Sequence, residues 1–413
     1  MKVIDPAALP AIFEAVGPAT PRIVASGNHA TPWHLLAAAD KAIPEYRLFQ
    51  INAQRGVPVR DGVRHESPFV GPGMRGLATL DYLPARLSLV PRILAATHQP
   101  DIVLVHTAPP RNGTLSLGIE VNILPAAIEL ARGRGGLVVA QINRNMPYTY
   151  GDSEIPLDLV DHAIECDEPL PSPVARHTGA ADAAATLIGA RIAPMIRNGS
   201  TLQTGIGAVP DAVLAAVTGH SGLRIWSEMI SDGVAELAAR HALDPDFPIT
   251  ASFLFGSSEL YAWADGNRQL RMLRTETVNA PSRIADQQAM TSINAALQVD
   301  LYAQANASYA HGRIYSGFGG QTDFIVGALH SPGGQAIIAL PSWHAKTAAS
   351  TIVPQLTTPV TSFQLTAVVT DQGRADVLGC DQRAQARHLI DRAAHPDARE
   401  QLWDAAAQLG LAG

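Results

Sequence analysis

The chain of 413 residues predicts an α/β protein built as two open lobes with mainly parallel sheets, and three observations carry that expectation. Hydrophobic residues make up 47% and charged residues 16%, which suits a large aliphatic core. Short apolar runs alternate with alanine-rich helical patterns, as in DIVLVHT (101–107), LPAAIELARG (124–133) and GLVVAQINRN (136–145). Such alternation favours parallel strands covered by helices. The chain also exceeds the usual domain size, and Pro169, Pro171 and Pro173 crowd one stretch, DEPLPSPVARHTG (167–179). A connection there divides the chain into a first lobe over 1–180 and a second over 181–413.

Within the second lobe, ADAAATLIGARIAPMIRNG (181–199) predicts a helix capped by Asn198 and Gly199, whose tolerance of left-handed backbone suits a helix end. A strand, STLQTG, follows. In TLQTGIGAVPDAVLAAV the glycines Gly205 and Gly207 close that strand, and Pro210 fits the first turn of the next helix. Further strands are expected at ASFLFG (251–256), QAIIALPS (335–342) and AVVTD (367–371), so the second lobe builds a sheet of its own.

A formal net charge of −7 supplies no basic footprint, so neither nucleic acid nor an anionic membrane surface is an expected partner. The first sixteen residues lack the apolar core of a secretory signal, and no run approaches the roughly 18 apolar residues of a membrane span. A cytoplasmic protein is expected. Cys166 and Cys380 match no metal or redox spacing, and His29, His34, His220, His311, His330 and His344 are scattered, so no metal is expected. Serine chemistry is disfavoured because GHSG (219–222) and GSSEL (256–260) both miss the GxSxG elbow.

Two glycine clusters and one acid remain. The amides of Gly205, Ile206, Gly207, Ala208 and Val209 lie where a helix begins, a place suited to phosphate or a developing anion. Glu228, in WSEMISDG, stands twenty-one residues after Gly207. An acid at that distance also fits a dinucleotide fingerprint, although Pro210 occupies the third glycine position. In YSGFGGQTDFIVGA (315–328), Gly317, Gly319 and Gly320 allow close backbone approach to a ligand. From residues alone, a plain turn, a bend and a structural acid between Ser227 and Ser231 stay open beside these readings.

STLQTGIGAVPDAVL (200–214), SEMISDGV (227–234), SINAALQVD (292–300), SGFGGQTDFIVGA (316–328) and AIIALPS (336–342) occur in the order found in one family. The chain resembles the acetyl-CoA hydrolase/transferase family, which includes 4-hydroxybutyrate CoA-transferases. The resemblance implies two CoA-transferase-type α/β lobes with the active site between them, a homodimer, and coenzyme A as substrate and covalent thioester partner. It makes Glu228 the catalytic nucleophile and Asn279, Gly319 and Gly320 oxyanion donors. It assigns coenzyme A to the 205–209 turn, to Gly317 and Gly320 along the pantetheine, and to Lys346 as a phosphate contact. Transfer of CoA between short-chain carboxylic acids is the implied activity, with acyl-CoA hydrolysis as the alternative. A nicotinamide-dependent oxidoreductase and a non-catalytic CoA-binding regulator are the readings from other classes. Arg111, where relatives often carry an acid, and the shortened 360–375 segment depart from the family pattern and bear on acyl or acceptor specificity.

Overall fold

A computed structural model describes residues 1–172 and 180–412. The chain forms two compact units, one of Met1–Pro173, Ile249–Val278 and Ile314–Gly319, the other of Val174–Pro248, Asn279–Arg313 and Gly320–Gly413. This division is more interleaved than a single boundary near residue 180, since 249–278 and 314–319 cluster with the amino-terminal unit. The proline-rich connection expected over 167–179 falls largely outside the described residues.

The amino-terminal unit is organised on eight strands: β1 (Lys2–Val3), β2 (Arg22–Ala25), β3 (Tyr46–Phe49), β4 (Val63–Ser67), β5 (Leu80–Tyr82), β6 (Ile102–Thr107), β7 (Leu137–Asn143) and β8 (His162–Cys166). They pair in the order β1-β8-β7-β6-β2-β3-β4-β5, every pairing parallel. All six residues of β6 are buried, the signature of a strand covered on both faces. Leu9, Phe13, Ile23, Leu36, Tyr46 and Leu104 belong to one apolar cluster beside this sheet.

The carboxyl-terminal unit carries β9 (Thr201–Thr204), β10 (Arg224–Ile225), β11 (Thr291–Ala295), β12 (Gln335–Ala339), β13 (Ala367–Val369) and β14 (Arg374–Asp376). Their order is β10-β9-β11-β12-β13-β14, parallel throughout except for the closing β13–β14 hairpin. Ile325, Ile338, Val368, Ile390 and Leu402 join in its core.

Two expectations change. The helix predicted over 181–199 spans Ala180–Ile192 and gives way to a 3-10 turn at Ala193–Met195, because Pro194 has no amide hydrogen to continue it. Gly199 does turn left-handed, at φ +77°, but just ahead of β9 rather than at the helix end. ASFLFG (251–256) holds the last residue of one short strand, Ile249–Ala251, and the whole of another, Phe253–Leu254, and both lie in the amino-terminal unit. Among the described residues no helix is long and apolar enough to cross a membrane.

Candidate active site

In open parallel sheets, ligands bind beyond the carboxyl ends of the strands, where loops leave in opposite directions. In the carboxyl-terminal unit the chain runs from β9 to β10 on one side and returns with β11 on the other, which puts this crossing point between β9 and β11. The loops leaving β9 and β10 there contain the glycine turn and Glu228.

Glu228 sits half-buried between β10 and the short strand Met229–Ile230. Its neighbour Ser227 is tied to the end of β9, donating from Oγ to the Thr204 carbonyl at 3.2 Å. On the other side, Ser231 Oγ donates to Asp211 at 3.1 Å. Gly233 makes this docking close: a Cβ there would lie 2.7 Å from Leu214 Cδ1. The acid is therefore anchored from both flanks.

Asn279 Nδ2 donates to Glu228 Oε2 at 2.7 Å. Asn279 is fully buried, and its Oδ1 has no hydrogen-bond partner among the described residues. Gly320 closes the cluster: a Cβ on it would lie 1.6 Å from Glu228 Oε2 and 2.4 Å from Asn279 Nδ2. Only a glycine fits. Gly320 also caps the helix α1 (Gln321–His330), whose positive end favours a negative carboxylate beside it.

The local sequence explains why these three residues meet. Pro281 starts the helix Pro281–Ala285 just after Asn279, and Gly327 lets α1 pack hard against it, with a hypothetical Cβ only 2.4 Å from Ile284. Gln321 Nε2 donates to the Ala295 carbonyl at 3.1 Å, which ties the start of α1 to the end of β11.

The other residues expected at the site from the sequence fall into separate places. Gly205 through Val209 form the turn after β9, with Ile206 41% exposed and Gly207 at φ +120° as the cap of the helix Ala208–Ala216. Nothing lies within 4 Å of a Cβ built on Gly207, so the turn is open to an incoming group. Lys346 is exposed at the tip between the strands Trp343–His344 and Ala349–Ser350. Gly317 and Gly319 belong to the amino-terminal unit, where a Cβ on Gly317 would lie 2.4 Å from the Pro68 carbonyl and the Gly319 carbonyl accepts from Leu87 N at 3.0 Å.

Comparison with known proteins places this arrangement. Residues 39–175 match the acetyl-CoA hydrolase/transferase N-terminal domain and residues 256–406 the C-terminal domain of the same family. Over 357 residues the chain is 38% identical to the 4-hydroxybutyrate coenzyme A transferase of Clostridium kluyveri, an alignment covering 83% of this chain and 81% of that protein. The chain belongs to the acetyl-CoA hydrolase/transferase family. It is an enzyme of that family with the family's mixed α/β fold. RipA from Yersinia pestis superposes with a TM-score of 0.91 at 27% identity, covering 99% of this chain and 98% of that one. The 4-hydroxybutyrate CoA-transferase from Porphyromonas gingivalis gives 0.82 at 29% identity, over 99% and 98%. Glu228 itself lies between the two segments that match the family domains.

Two polar groups near the strand ends escaped the sequence reading. Gln203, Ser292 and Asn294 form a buried network across β9 and β11, with Ser292 Oγ donating to Gln203 Oε1 at 2.7 Å and Asn294 Nδ2 to the same oxygen at 3.1 Å. In the amino-terminal unit Glu120 is 1% exposed, and burial pushes its carboxyl up to about 7 against the pull of amide donors. Its only signal was an acid inside the apolar run LGIEVNIL (117–124).

Proposed function

We propose that this enzyme is a CoA-transferase that moves CoA between short-chain carboxylic acids, with Glu228 as the covalent nucleophile. The observation that carries the reading is the Glu228 carboxylate held by the Asn279 amide, against a glycine that leaves no room for any side chain. A carboxylate attacks a thioester only when held close to its target in a site that stabilises the developing oxyanion.

In the first step Glu228 attacks the acyl-CoA carbonyl, the carbon–sulfur bond breaks, and CoA leaves as thiolate from an acyl-glutamyl anhydride. The thiolate attacks the glutamyl carbonyl and expels the first carboxylate, leaving a glutamyl-CoA thioester. The acceptor carboxylate repeats these two steps in reverse, so Glu228 is regenerated without net gain or loss of a proton. Asn279 and the backbone at Gly319 and Gly320 serve as oxyanion donors. The open turn at 205–209 takes part of the CoA backbone, with Gly317 and Gly320 along the pantetheine and Lys346 on a phosphate. The same reading carries a homodimer, which sedimentation would check, and a cytoplasmic setting.

Mass spectrometry after addition of acyl-CoA, followed by borohydride reduction, tests the reading. A CoA adduct or its reduced product is expected on the Glu228 peptide and absent in Glu228→Ala, whose turnover should fall by about 10⁴ or more. Surviving activity in that variant would end the proposal. If water rather than a second carboxylate resolves the adduct, the enzyme is an acyl-CoA hydrolase, in line with the family's other named activity.

A further inference from the structure

Two segments of the carboxyl-terminal unit are joined to each other rung by rung. One leaves β9 through the open turn 205–209 into the helix Ala208–Ala216, and the other leaves β10 through Glu228 into the helix Asp232–Ala239. The first rung comes before both the turn and the acid: Ser227 Oγ donates to the Thr204 carbonyl at 3.2 Å and accepts from the Thr204 amide at 3.4 Å. The second comes after both, where Ser231 Oγ donates to Asp211 Oδ1 at 3.1 Å. A third follows at once, since a Cβ on Gly233 would lie 2.7 Å from Leu214 Cδ1 and the two helices touch there. The turn and the acid are therefore bracketed by the same pair of hydrogen bonds.

Ser231 makes the more telling of the two bonds. It stands just before the helix Asp232–Ala239 with extended backbone at φ −115° and ψ −178°, which is the N-cap position. A serine there ordinarily accepts from an amide of the helix's own first turn and so stabilises the helix start. Among the described residues Ser231 makes no such bond. Its buried hydroxyl turns instead to Asp211 in the first turn of the neighbouring helix. Asp211 is in turn joined to the open turn, because its amide donates to the Gly207 carbonyl at 3.1 Å. A cap would serve one helix, whereas the bond actually made fixes the spacing between two segments.

We propose that Ser231 is a positioning residue of the reaction: through Asp211 it holds the segment bearing Glu228 in register with the turn 205–209. This role rests on the CoA-transferase reading of the same site, in which Glu228 attacks and the turn takes part of CoA. Attack by a held carboxylate depends on placement, and a shift of about 1 Å costs about 10²-fold in rate. Ser227 fixes the chain on the near side of Glu228 and Ser231 on the far side, so loss of either leaves the acid held from one flank only. Both serines are buried, where a hydrogen bond is stronger than in water.

Single-turnover labelling of the full chain tests this, with acetyl-CoA, propionyl-CoA and butyryl-CoA as donors and the adduct on the Glu228 peptide read by mass spectrometry after borohydride reduction. In Ser231→Ala the labelling rate at saturating donor is expected to fall about 10- to 100-fold, while the donor concentration giving half the maximal rate stays within about threefold. Ser231→Thr keeps the hydroxyl and should restore most of the rate. Asp211→Ala removes the other end of the bond, so combining it with Ser231→Ala should cost far less than the product of the two single losses. Melting temperatures of the same samples separate placement from folding: a bond that only stabilises would lower the melting temperature and leave the folded variant labelling at the wild-type rate. That result overturns the proposal, as do fully multiplicative losses in the pair or a Ser231→Thr variant as slow as Ser231→Ala. A wild type that takes no label from any donor removes the nucleophile and this role with it, whereas a labelled wild type matched by an equally fast Ser231→Ala overturns the role of Ser231 alone.

Discussion

Two glutamates of this protein, Glu228 and Glu120, are each held by an asparagine Nδ2 at 2.6 to 2.7 Å, yet one is half-buried and the other almost fully enclosed. Glu228 is half-buried, with one oxygen against Asn279 and Gly320 at the start of α1. Glu120 is sealed in, with both oxygens taken by amides and its carboxyl raised to about 7 by burial. The nucleophile proposed at Glu228 needs room for its target and a neighbour that stabilises charge. An enclosed acid needs its oxygens engaged by donors. Environment, not residue type, separates these two acids.

The sharpest way to break the comparison is to close the approach to Glu228. Gly320→Ala puts a Cβ 1.6 Å from Glu228 Oε2, so kcat/KM should fall by about 10²-fold or more. Asn279→Ala should cost about 10²- to 10³-fold in kcat. Circular dichroism should show both variants folded, and near-normal rates in either would remove Glu228 from the chemistry.

A smaller effect separates the two acids by pH. The folded carboxyl of Glu120 lies above its ordinary value, so its contribution to stability is present at low pH and is lost as pH rises through about 7. Glu120→Gln escapes that loss. Its melting temperature relative to wild type should therefore improve between pH 5 and pH 8, by at most about 3 kcal/mol in stability. His29 and His106 act in the opposite sense: their lowered values add stability above pH 6.5 that disappears as pH falls through about 4. Both variant and wild type carry those rings, so the difference between the two proteins isolates Glu120.

The smallest expected change is at the open turn. Gly207→Ala meets no neighbour within 4 Å but must hold φ +120°, a strain of about 1 kcal/mol or more. A modest rise in the KM for acyl-CoA, measured with kcat unchanged, would place CoA at this turn. An unaltered KM would remove the turn from binding.

Much of the architecture was legible beforehand. The apolar run of β6 and the alternation of strand and helix through 101–145 follow from the parallel pattern that any two-sided sheet imposes. Glu228 and the glycines were legible as motifs because tight turns need glycine and because the segments occur in a family order. ASFLFG was misplaced because a short apolar run shows that a strand forms, but not which sheet receives it. Glu120 was missed because an isolated acid in an apolar run has no periodicity or spacing to mark it.

By itself, then, the sequence determined the element types, the parallel character of the sheets, the family, and the identity of the acid at the turn after β10. These depend on local pattern and on segments read in order. Only the tertiary structure decided that Asn279 and Gly320, 51 and 92 positions beyond Glu228, meet its carboxylate, and that Asn28 and Asn122 converge on Glu120 while Asn52 donates to Asn28. Distance in sequence carries no information about such meetings. They are set by helix packing at Gly327 and by neighbouring strands whose ends lie side by side.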